Sequence, residues 1–71
     1  MERLPVQSSN LSSVGYDPDT LTLEIEFHNG GIYQYSSIPA EIYNGLINAG
    51  SKGTFFRQFI KKGGYPYSKV G

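Results

Sequence analysis

Residues 40–71 hold five basic side chains, Lys52, Arg57, Lys61, Lys62 and Lys69, against one acid, Glu41. They alternate with Phe, Tyr and Gly. Ammonium and guanidinium groups hold phosphate oxygens, and exposed aromatic rings stack on unpaired bases, so this mixture is the chemistry of a polyanion or single-strand binder. Arg57 and Lys61 stand four apart, on one stripe of a helix. Lys69 follows Tyr65 and Tyr67, two rings suited to stacking. Ser51 and Lys52 open the same helix, where free amides and the helix dipole favour anions. The predicted nucleic-acid or anion-binding set is therefore Ser51, Lys52, Arg57, Lys61, Lys62, Tyr65, Tyr67 and Lys69. A solvated helix face followed by a packed tail would use the same residues.

Other chemistries find little support. The stretch "GLINAGSKGT" (45–54) spaces two glycines as a P-loop does. It then places Ser51 before Lys52, the reverse of the required order, and it follows a helix instead of a strand. No serine can be paired with a base from spacing, because the single histidine, His28, falls in a hairpin loop. Asp17 and Asp19 read as turn residues, not as a carboxylate pair. With no cysteine and one histidine, thiolate zinc sites, iron–sulfur clusters and disulfides are excluded. The chain is expected to be non-enzymatic and to need no cofactor and no metal.

The elements that must position these residues follow from pattern. "DPDT" (17–20) is a turn. In "LTLEIEF" (21–27), Leu21, Leu23, Ile25 and Phe27 face one way, and Thr22, Glu24 and Glu26 the other. That is a half-buried antiparallel strand. "HNGG" (28–31) closes a hairpin, and two registers are open. A three-residue loop, His28-Asn29-Gly30 with Gly30 left-handed, sets Ile25 against Tyr33 and Leu23 against Tyr35, on the apolar face. A two-residue Asn-Gly loop instead sets Glu26 against Tyr33 and turns both rings outward. The first is preferred, because it keeps two large rings with Leu and Ile.

A helix follows, with Pro39 at its start, Ile42, Tyr43, Leu46 and Ile47 on one face, and Gly50 as its stop. Gly45 inside it suggests close packing on the sheet. Ser51 caps a second helix with Phe55, Phe56, Phe59 and Ile60 as its stripe, ended by Gly63-Gly64. "YPYSKV" (65–70) is extended, as an edge strand or a packed tail. "PVQSSN" (5–10) reads as loosely held.

The order of Ser-Ser before Val14-Gly15-Tyr16-Asp17, "TLTLEIEF", a hairpin glycine, "YQY", "IPAEIY", "NAGSKGTFFRQFIK" and "YPY" resembles the KTSC domain over residues 7–70. That short domain is found at the C-terminus of some lysyl-tRNA synthetases and as stand-alone bacterial proteins. The family's paired tyrosines correspond to Tyr33 and Tyr35. Its Ala-x-Ser-x-Gly turn corresponds to Ala49, Ser51 and Gly53, and its aromatic–basic helix end to Phe55, Phe56, Ile60 and Lys61. The resemblance implies RNA as a partner, through the company of a tRNA-handling enzyme, and implies no catalytic residue. The chain departs from the family at Gly63-Gly64, where a charged pair is expected.

Together these readings predict one α+β domain over residues 1–71, ordered over about 11–67: a three-stranded antiparallel meander, then two short helices packed on one face. The expected core is Val14, Leu21, Leu23, Ile25, Phe27, Tyr33, Tyr35, Ile42, Leu46, Phe56, Phe59 and Ile60. Charge is split, −4 over residues 1–39 and +4 over residues 40–71, so a neutral chain can carry a basic face. No segment approaches the ~18 apolar residues of a membrane span, and residues 1–5 lack the pattern of a signal peptide, so a cytoplasmic location and no membrane partner are expected. The leading function is weak binding of RNA or another polyanion. The alternative is a protein–protein interaction module using an exposed sheet edge or aromatic patch.

Overall fold

The computed structural model describes all 71 residues, Met1–Gly71. Five strands form one antiparallel sheet in the order β1-β2-β3-β4-β5. They are β1 (Leu4–Pro5), β2 (Leu11–Asp17), β3 (Thr22–Phe27), β4 (Ile32–Tyr35) and β5 (Tyr67–Lys69). Between β4 and β5 lie α1 (Ala40–Asn48) and α2 (Lys52–Phe55), and α2 continues as a π-helical turn over Phe56–Lys61. The expected three-stranded meander is thus the centre of a five-stranded sheet. The two extra strands are short edges, of two and three residues. β5 is the edge strand offered for residues 65–70, whereas β1, at two residues, is too short to display the alternation by which a strand is recognised.

The central hairpin adopts the three-residue loop. The Phe27 N–H donates to the Gly31 carbonyl at 2.9 Å, and the Gly30 N–H donates to the Phe27 carbonyl at 2.9 Å. Gly30 has φ +96°, which a residue with a Cβ rarely adopts. Leu23 therefore faces Tyr35, and Ile25 faces Tyr33. Both tyrosines lie on the apolar face, and Tyr35 is buried.

The core consists of Leu11, Val14, Leu23, Ile25, Tyr35, Ile38, Leu46, Phe56 and Ile60. Two of its members escaped the sequence pattern. Leu11 and Val14 stand three apart, yet both point inward, because β2 carries a bulge. Leu11 opposes Phe27 and Ser13 opposes Glu26, so Ser12 is an extra residue that reverses the parity of the strand. Ile38 lies between β4 and α1, and its N–H donates to the Leu21 carbonyl at 2.9 Å.

Two expected core members are corrected. Leu21 is 40% exposed, because it belongs to the turn, with φ +56°, and not to the strand. Phe59 is 49% exposed. The wider i→i+5 turn of the π segment, seen as the Lys62 N–H donating to the Arg57 carbonyl, rotates Phe59 off the stripe and onto Phe55, whose ring centre is 4.6 Å away. Phe27, Tyr33 and Ile42 are half-buried against the core.

Gly45 permits a close approach, but of α2 and not of the sheet. A Cβ there would lie 2.5 Å from Cζ of Phe55. The turn between the helices is held by Ser51, whose hydroxyl accepts from the Thr54 N–H at 3.4 Å, and by Lys52, whose ammonium donates to the Ala49 carbonyl at 3.2 Å.

The other sheet face is polar. The Glu24 carboxylate accepts from the Gln34 amide at 2.8 Å and pairs with the Arg3 guanidinium. Arg3 also donates to the Ser13 hydroxyl, which donates to Glu26, each at 3.0 Å. The Gln34 amide and then Arg3 hold the Glu24 carboxyl below its ordinary range, although burial opposes them. The network fastens residue 3, and with it β1, across the sheet, and the stretch 5–10 that reads as loose is held at its start, where Pro5 pairs with Ser13 and the Val6 N–H donates to the Ser12 carbonyl at 3.2 Å.

Candidate functional site

The apolar sheet face is covered unevenly. α1 and the π segment seal one part: Tyr16 stacks on Tyr43 at 4.6 Å and donates its hydroxyl to the Ile38 carbonyl at 2.6 Å. The remaining part, over β4 and β5, stays open as a groove of about 520 Å³. That size is in the ordinary range for ligand sites.

Three tyrosines form one wall. Tyr67 opposes Tyr35 across the β4–β5 ladder. Its ring centre is 5.5 Å from Tyr35, inclined by 30°, and 6.3 Å from Tyr33. Tyr33 and Tyr35 stand 6.5 Å apart. Phe27, Phe56 and Tyr65 close the other side, with Phe56 edge-on to Tyr35 at 5.5 Å and to Phe27 at 5.3 Å. The groove is graded from floor to rim, with Tyr35 buried, Tyr33 half-buried and Tyr67 66% exposed.

Cations stand at the rim. Lys61 lines the groove directly. Arg57 lines a second depression that shares Phe27, Asn29, Phe56 and Lys61 with the groove. Lys69 lines a third, on the far side of Tyr33. None of the five C-terminal bases forms a salt bridge; the one ion pair in the molecule is Arg3–Glu24. The acidic residues that balance the net charge lie elsewhere, on the outer sheet face, in the first turn and on α1.

Of the eight predicted residues, the fold gathers five, Arg57, Lys61, Tyr65, Tyr67 and Lys69, around this surface. Ser51 and Lys52 instead serve the turn between the helices. Lys62 is exposed beyond the π segment and lines no depression. Tyr33 and Tyr35 read as core from their alternation, and they are both core and groove wall. The pairing of β5 with β4 is what adds Tyr67 to them.

The Gly63-Gly64 departure has a structural use. Gly64, at φ +78°, ends the helical segment. A Cβ at Gly63 would lie 2.7 Å from the Tyr65 ring, so its absence lets that ring fold against the helix end and into the groove.

Burial, and then the neighbouring Tyr33 and Tyr67 phenols, push the Tyr35 hydroxyl up to about 12. Tyr35 therefore remains a neutral hydrogen-bond donor through the physiological range. The sign of the pH effect follows. The folded value lies above the unfolded one, so the folded state holds this proton longer. Its stabilisation is complete below about pH 10 and is lost as pH rises through about 12. In an absorbance titration of the six tyrosines, Tyr35→Phe should remove the latest ionisation. Retention of that late step in the variant would contradict the assignment.

No helix is long and apolar enough to cross a membrane, and no three of the His, Asp and Glu side chains gather into a group that could hold a metal ion.

Comparison with known proteins places this arrangement in a family. The KTSC domain profile matches residues 7–65. An uncharacterized protein of Stutzerimonas stutzeri is 41% identical over 70 residues, covering 99% of each chain. A lysine–tRNA ligase of Nostoc sp. is 39% identical over 67 residues, which are 94% of this chain but 12% of the ligase. The crystal structure of a KTSC domain protein from Yersinia pestis superposes with a TM-score of 0.92 at 44% identity, covering 99% of this chain and 97% of the other. The five-stranded sheet with its two inserted helices, and the residues that build them, belong to a KTSC domain, and this chain is a member of that family.

Proposed function

We propose that the domain is a non-enzymatic binder of single-stranded RNA, with bases stacking in the tyrosine groove and phosphates held at its rim. One observation carries the reading: Tyr33, Tyr35 and Tyr67 form a graded aromatic wall beside Lys61, with Arg57 and Lys69 flanking it and no carboxylate neutralising them. Aromatic platforms with unpaired cations accept successive bases largely regardless of sequence. A lysine–tRNA ligase among the relatives favours RNA over DNA.

The salt dependence of binding tests this. Three cations contacting phosphates release three counterions, so log K should fall against log salt with a slope of about −2 for a single strand. Fluorescence anisotropy of a labelled short oligouridylate between low and physiological salt measures it. A slope near zero would remove the phosphate contacts from the account.

A second reading, a protein-docking module, draws on Phe59, which is half exposed and packed at a tilt against Phe55. The sheet edges favour it less. β1 is two residues with Pro5 in it, and β5 is three residues ending in Lys69, which are features that blunt edge-to-edge pairing. Binding that does not respond to salt, and that Phe59→Ser weakens, would select this reading.

A further inference from the structure

Beside the tyrosine groove lies a depression of about 320 Å³, between the tip of the β3–β4 hairpin, the Ser9–Asn10 turn and the helical segment. Its polar lining combines two cations with amide, hydroxyl and imidazole groups. Arg57 and Lys61 enter from the helix, His28 and Asn29 from the hairpin, and Asn10 from the turn. No carboxylate lines it.

The walls are fixed by bonds that do not involve any ligand. Nε2 of His28 faces the Ser8 carbonyl oxygen at 2.9 Å and so carries the proton. The His28 N–H donates to the Asn10 carbonyl at 3.0 Å. The Ser8 hydroxyl accepts from the N–H groups of Asn10 and Leu11, each at 3.2 Å. Oδ1 of Asn29 accepts from the Gly31 N–H at 2.9 Å, which leaves the amide –NH₂ as its remaining polar group. Gly53 is buried against Asn10, and a Cβ there would lie 2.7 Å from Nδ2 of Asn10. The hairpin tip, the N-terminal turn and the helix are thus joined around a small, cationic hollow.

We propose that this hollow holds one phosphate of the RNA strand whose base occupies the adjoining groove. The inference rests on the function proposed above and adds a built phosphate site to it. The two depressions share Phe27, Asn29, Phe56 and Lys61, so a strand leaving the groove enters the hollow directly. Arg57 supplies the planar fork that suits phosphate oxygens, and Lys61 is the point charge common to both compartments. Asn10 and Asn29 add neutral donors.

The test compares a short oligouridylate with its methylphosphonate analogue, which keeps the bases and removes the backbone charge. Amide and side-chain shifts are recorded for two sets: Asn10, His28, Gly53 and Arg57 for the hollow, and Tyr33, Tyr35 and Tyr67 for the groove. The native oligonucleotide should move both sets, and the analogue the groove set alone. Arg57→Gln should lose the hollow shifts and about tenfold in affinity, the equivalent of one charge-assisted contact. Arg57 is exposed, so this variant keeps the fold. If the native strand moves the groove set and leaves the hollow set silent, the phosphate site is wrong and the groove reading stands. If inorganic phosphate alone moves the hollow set as strongly as the oligonucleotide does, the hollow is a free-anion site and the nucleotide assignment is overturned. If neither set moves with the native strand, the groove reading fails and takes this inference with it.

Discussion

Tyr67→Ala should weaken single-stranded RNA binding by about tenfold to a hundredfold, since one base–aromatic stack contributes ~1–3 kcal/mol. Tyr67 is the most exposed ring of the tyrosine wall, at 66%, and the one whose face is available to a ligand. Its backbone, not its ring, holds β5 to β4, through pairing of residues 67–69 with Tyr33, Gln34 and Tyr35. The ladder survives truncation of the side chain. A mostly exposed side chain contributes roughly ±0.5 kcal/mol to stability, so the melting temperature should move by only a few degrees. Tyr67→Phe should bind as the parent does, because stacking uses the ring and not the hydroxyl. Loss of affinity that merely follows loss of fold, or equal binding by Tyr67→Ala and parent, would refute the role.

The second prediction concerns the groove's other side. Phe56→Ala should destabilise the domain by about 3–5 kcal/mol, the usual cost of deleting a buried ring and leaving a cavity. Phe56 is 8% exposed and meets Phe27 and Tyr35 edge-on from the helical side. It is the side chain through which the π segment reaches the aromatic cluster on β3 and β4. A 71-residue domain has only ~4–11 kcal/mol of stability in total, so the variant should be largely unfolded at modest denaturant or temperature. Urea unfolding followed by circular dichroism measures this. Phe56→Leu keeps most of the volume and should cost less than half as much. Phe59→Ala, which matched Phe56 in sequence periodicity but is half exposed, should cost about 1 kcal/mol or less. Equal costs at 56 and 59 would show that the segment is an ordinary α-helix with both rings inward.

These contrasts mark where sequence reading ends. The central hairpin was legible because three local signals agreed: alternation over residues 21–27, a glycine suited to the left-handed position of a three-residue loop, and two rings that gain from facing Leu23 and Ile25. The Asp17 turn was legible for a similar reason, and its carboxylate does accept from the Asp19 N–H at 2.9 Å. Leu11 was missed because a bulge leaves no mark in the alternation, and a parity change of one residue moves a side chain to the other face. Phe59 was misplaced because 3.6-residue periodicity was assumed where the turn is wider. The groove was half legible. Its cations and the tail tyrosines stand out by type, but Tyr33 and Tyr35 reach the same surface only through a long-range pairing with β5. Such a pairing depends on two helices folding back, and no local pattern encodes it. His28 and Asn10 read as loop residues for the same reason: they meet only because the hairpin tip bonds to the N-terminal turn.

The most direct measurement is a search for intermolecular nuclear Overhauser effects between the ring protons of Tyr33, Tyr35 and Tyr67 and the base protons of a bound oligouridylate, at low salt and saturation. Contacts from Tyr67 and Tyr33 to the bases, with Tyr35 weaker because it forms the floor, are the predicted result. Saturable binding with no ring-to-base contact at any of the three would contradict the groove as the site of recognition.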